Sequence, residues 1–72
     1  MARKRDPVMS ISDGTAREAA CFQRSLRRNG IKGAEVKLNK YGNLVVFVQS
    51  LRVRRLHDWD ARVARAERSC KL

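Results

Sequence analysis

The sequence predicts a small α+β domain: an α-β-β-α order with two helices packed on one face of an antiparallel β-hairpin. Three observations predict it. A helix-start signal at Thr15-Ala16-Arg17-Glu18 opens a stretch of strong helix formers. Two β-forming runs, 34–38 and 44–48, flank a short turn-rich segment. From Leu56 onward, apolar residues recur at steps of three and four. At 72 residues the chain makes one domain. A chain this short buries only about 60% of its unfolded surface, so its core is small.

Residues 1–11 read as a flexible basic arm, and 12–72 as the single folded domain. The arm carries Arg3, Lys4 and Arg5, holds the only proline, Pro7, and shows no sustained period. The first helix is expected from about Thr15 to Asn29. Thr15 and Glu18 fit a capping box, with Ser12 or Asp13 as alternative caps. Asn29-Gly30 is a stop signal, because glycine accepts the left-handed C-cap conformation. At about 100° per residue, Ala19, Phe22 and Leu26 share one side of this helix, while Arg17, Arg24 and Arg28 fall almost opposite.

A period of two follows. Ala34, Val36 and Leu38 alternate with Glu35, Lys37 and Asn39, the pattern of a half-buried strand. Residues 39–43 supply turn formers, and Leu44-Val45-Val46-Phe47-Val48 is a continuous apolar strand. Leu44, Val46 and Val48 share a face with Val36 and Leu38. Val45 and Phe47 point the other way and call for cover, for which a homodimer formed through the hairpin is the expectation. The last helix is expected to begin near Val53 or Leu56. Its seam is Leu56, Trp59, Val63, Ala66 and Cys70, and its far face holds Arg54, Arg65 and Arg68. The expected core is Phe22, Leu26, Ile31, Val36, Leu38, Leu44, Val46, Val48, Leu56, Trp59 and Val63.

Composition narrows the function. Lys and Arg total 17 against 7 acidic residues, for a formal net charge of +10, and 12 of the 17 are arginine. Such a body concentrates polyanions at its surface. A guanidinium also grips phosphate through paired hydrogen bonds where lysine acts as a point charge. Catalysis finds little support. The single histidine, His57, has no nucleophile at a motif spacing, and Asp58 and Asp60 diverge on a helix. His57 with Cys21 and Cys70 does not complete a zinc site. The expectation is therefore a non-enzyme with no catalytic residues, no metal site and no cofactor.

No stretch approaches the ~20 apolar residues of a membrane span, and no signal-peptide core follows the basic N-terminus. The expected setting is soluble and cytoplasmic, with no membrane partner. Cys21 and Cys70 are then expected as reduced thiols, with a disulfide, a dimer link or a redox sensor as the alternatives.

The basic surface is the candidate site: Arg3, Lys4 and Arg5 on the arm, Arg17, Arg24 and Arg28 on the first helix, and Arg54, Arg65 and Arg68 on the last. Lys40 and Tyr41 at the hairpin tip add a charge and a ring able to stack on a base or enter a groove. The expected function is nucleic-acid binding, DNA ahead of RNA, in a small regulator of phage or mobile-element type. The alternative is a small inhibitor or adaptor, also possible for a phage, docking on an acidic surface of a host protein or nucleic-acid-handling complex. Val45 and Phe47 would be its apolar centre. The order helix-hairpin-helix with basic helices resembles double-stranded-RNA-binding domains. Those have three strands where this pattern predicts at most two and a half, and the departure leaves the chain assigned to no family.

Overall fold

A computed structural model describes residues 6–49 and 51–72. Its elements are β1 (Asp6–Ile11), α1 (Ala16–Arg28), β2 (Ala34–Leu38), β3 (Leu44–Val48), α2 (Leu51–Arg54) and α3 (Trp59–Ser69). The strands form a three-stranded sheet in the order β1-β3-β2. Both outer strands run antiparallel to β3. β1 and β2 are therefore parallel to each other, and α1 crosses between them with β3 inserted in the gap, a split β-α-β unit.

β1 corrects the expectation of a flexible arm through residue 11. Asp6–Ile11 pairs with β3, and the register shifts between Pro7 and Met9. Val8 is the extra residue of that bulge. It breaks the period of two, so Met9 and Ile11 reach the core side although the sequence shows no clean alternation. Proline is at home here, because an edge strand has no ladder partner for its missing N–H. Residues 1–5, the basic part of the expected arm, lie outside the described residues.

α1 starts and stops on the expected signals. The Glu18 N–H donates to Thr15 Oγ1 at 3.1 Å. At the other end, Gly30 N–H donates to the Arg27 carbonyl and Ile31 N–H to the Leu26 carbonyl, with Gly30 at φ +82°. This Schellman pattern plants Ile31 in the core beneath the helix end. The Asn39 side chain organises the β2–β3 turn, accepting from the Tyr41 and Asn43 N–H groups at 2.9 Å each.

The C-terminal third departs from one continuous helix. α2 spans four residues, and Asp58 then takes a left-handed φ of 60° before α3 begins. The break spares the chain a continuous helix that would roll Arg52 onto the apolar seam, and Arg52 is exposed. The seam itself survives: Val63 and Ala66 are buried, and Leu56 and Trp59 pack half-buried against the core. α3 closes with a second Schellman pattern, Leu72 N–H to the Glu67 carbonyl and Lys71 N–H to the Arg68 carbonyl.

Phe22, Leu26, Ile31, Val36, Leu44, Val46, Val48 and Val63 are buried as the patterning predicts. Leu38 is not: it is 40% exposed, because β2 ends there and the chain turns away. Ala19, Ala34 and Ala66 complete the core and let the layers approach closely.

Cys21 and Cys70 form a disulfide, with Cα atoms 5.9 Å apart, which corrects the expectation of two reduced thiols. The antiparallel packing of α1 and α3 brings these positions, 49 residues apart in sequence, to adjacent turns. Among the described residues no helix is long and apolar enough to cross a membrane.

Candidate nucleic-acid interface

α1 and α3 are joined at two points. Near the middle of α1 the Cys21–Cys70 bond ties it to the end of α3. At the end of α1, Arg62 Nη1 donates to the Asn29 carbonyl at 2.6 Å, and Arg62 Nε donates to the His57 carbonyl at 3.1 Å. Both helices send apolar side chains, Phe22 and Leu26 from one and Val63 and Ala66 from the other, into a single core against the sheet. Both helices thus contribute to one core, each turning its outer face away from it.

Those outer faces are cationic. Arg17, Arg24 and Arg28 of α1 are exposed, and so are Arg65 and Arg68 of α3. Among the described residues, no carboxylate holds any of these five guanidiniums. From Arg17 to Arg28 the row extends about 16 Å at 1.5 Å rise per residue. Arg27, also exposed, widens the row toward β2. Sequence reasoning missed it because it sits between the helix's outer and sheet-edge faces. Arg62, by contrast, is occupied in joining the helices.

The other predicted residues are scattered. Arg3, Lys4 and Arg5 lie outside the described residues, as does the side chain of Arg54 in α2. Lys40 and Tyr41 occupy the β2–β3 turn, where the lysine Nζ stands 5.1 Å from the centre of the Tyr41 ring. Tyr41 is 75% exposed. A hydrogen bond of 2.8 Å from Gly14 N–H to the Gly42 carbonyl ties this turn to the loop before α1. The tip therefore stands at the Arg17 end of the basic row.

Val45 and Phe47 lie on the sheet face turned away from the helices. In register beside Phe47 are Pro7 and Glu35, and beside Val45 are Ser10 and Lys37. Lys37 Nζ stands 3.5 Å from the Glu35 carboxylate. These neighbours leave both apolar side chains half-buried.

Each sheet edge is guarded. β1 offers Pro7 and a bulge. At β2, the Gln23 side chain acts as one peptide unit of a further strand: Nε2 donates to the Ala34 carbonyl at 2.7 Å, and Oε1 accepts from Val36 N–H at 2.6 Å. Both devices discourage pairing with another strand.

Among the described residues no group of three or more His, Cys, Asp or Glu side chains is placed to hold a metal ion. The fold and site together define a small α+β domain with arginines exposed on its helices. Comparison with known proteins returns no matching family model, no matching curated protein and no matching solved structure.

Proposed function

We propose that this chain is a small non-catalytic nucleic-acid-binding protein, of the kind a phage or mobile element uses as a regulator, with DNA ahead of RNA as its target. One observation carries the reading: five exposed arginines, free of carboxylate partners among the described residues, stand on two helices that the Cys21–Cys70 bond joins. Arginine suits this work because its planar fork pairs with phosphate oxygens while its weak hydration lowers the cost of contact. Lys40 and Tyr41 extend the surface at the Arg17 end. Little of this layer reads base edges, so binding is expected to be governed by the backbone.

The test is a binding titration with random-sequence DNA and RNA at ~50 mM salt, where non-specific phosphate contacts are strong. Reversing two charges, Arg24→Glu with Arg28→Glu, should abolish the complex. No binding by the unaltered protein at that salt sinks the reading.

A second reading keeps the alternative of a protein-binding inhibitor or adaptor. What favours it is the half-buried Val45–Phe47 pair on the sheet face opposite the core. A second copy of the chain is one candidate to cover that face, although the guarded edges argue against joining sheets edge to edge. Capture of a defined acidic protein that survives nuclease treatment and is lost in Phe47→Lys would favour this reading over the first.

A further inference from the structure

The Gln23 amide, locked to the β2 edge through both its oxygen and its nitrogen, divides two adjoining depressions. One, of about 270 Å³, is lined by Gln23 and the side chains of Arg24, Arg27 and Arg28. The other, of about 310 Å³, runs round the sheet edge past Gln23 and Arg27 to Glu35, Phe47 and Gln49. Gln23 and Arg27 border both, so the two form one groove with unlike ends.

The α1 end presents three arginines and suits a phosphate group. The sheet end presents an aromatic ring, an amide and a carboxylate. A ring offers a stacking surface to any base, and amide and carboxylate groups pair with donors and acceptors on a base edge. The arginines at the α1 end attract phosphate, which orients an occupant with its phosphate toward α1 and its base toward Phe47. At about 310 Å³ the sheet-end depression reaches the lower bound for a small-molecule site. A base within a duplex cannot reach it without leaving its stack.

We infer that this groove is a subsite for one unstacked nucleotide of a single-stranded nucleic acid. Arg24, Arg27 and Arg28 hold the phosphate, Phe47 stacks on the base, and Gln49 meets its edge. The inference rests on the nucleic-acid reading and deepens it: the basic row tracks the backbone of the strand, and the groove accepts one of its bases.

The experiment compares a short labelled oligo-dT strand with a duplex of equal length, by fluorescence anisotropy at ~50 mM salt. Phe47→Leu removes the ring and keeps an apolar side chain on the sheet. It should weaken binding of the strand about tenfold, the value of one base stack, and leave duplex binding unchanged. Phe47→Trp should retain strand affinity. Arg17→Ala, which lies outside the groove, should weaken strand and duplex alike. On the unaltered protein, adding the strand should shift the NMR signals of the Phe47 ring and the Gln49 side-chain amide, a readout independent of how any variant folds. Unmoved signals, or Phe47→Leu without effect on the strand, overturn the subsite while leaving the phosphate-binding surface standing. Failure of the unaltered protein to bind either nucleic acid removes both.

Discussion

The Arg62 guanidinium closes the joint between α1 and α3 by donating to the Asn29 and His57 carbonyls. The Asn29 carbonyl belongs to the end of α1, where helix geometry leaves acceptors without partners. Gly30 lies directly against this joint: a Cβ there would collide with the Arg62 guanidinium, and its φ of +82° disfavours any side chain. Gly30→Ala should therefore cost roughly 2 kcal/mol, from left-handed strain and displacement of Arg62 together. Arg62→Ala should cost about 1–3 kcal/mol by leaving a part-buried carbonyl unsatisfied. In urea denaturation the double variant should lose less than the sum of the two, since both act on the same contact. Strict additivity would show that the joint is not shared. The glycine stop was legible in the sequence. That Arg62 is spent on structure while Arg65 and Arg68 stay free was not, because its partner lies 33 residues away.

Among the elements, α1 and the β2–β3 hairpin were legible because each signal is local: a cap, a glycine stop and a two-residue period. β1 was hidden by its own bulge, which breaks the alternation at Val8. The hinge before α3 was hidden because Asp58 in a left-handed conformation has no compulsory sequence signature. Pairing of β1 with β3 also explains why β3 is apolar throughout: it is the central strand. α1 and α3 are covalently linked across 49 residues, and Ser25 Oγ lies 3.3 Å from Cys70 Sγ. Closing a loop of that length stabilises the fold by about 4 kcal/mol in the chain-entropy treatment. Reduction, or Cys21→Ser with Cys70→Ser, should lower the thermal midpoint by at least roughly 10 °C in calorimetry. An unchanged midpoint would show that helix packing holds the joint without the bond. The bond persists under oxidising conditions, so a reducing compartment would leave the same chain measurably weaker.

The whole molecule is flat, 30 × 27 × 15 Å, with exposed arginines on its helices and the half-buried Val45–Phe47 pair on the sheet face opposite the core. If five of the six exposed arginines of α1 and α3 neutralise five phosphates, affinity should fall about 500-fold between 50 and 200 mM salt. A logarithmic salt plot should then have a slope of about −4.5, and each Arg→Ala change should reduce that slope by about one. A slope near zero would mean the charge serves solubility, and binding would have to come from the Val45–Phe47 side.

The sequence by itself determined the secondary elements that carry local signals, the faces they bury and the excess of positive charge. These follow from periodicity, capping and composition, which act within a few residues. The tertiary structure alone decided which distant residues meet. It consumed Arg62 in the joint, paired Cys21 with Cys70 and locked Gln23 onto the β2 edge. The physical reason is distance along the chain: the first two depend on the antiparallel docking of α1 and α3 and the third on α1 packing beside β2, and no local pattern reveals either.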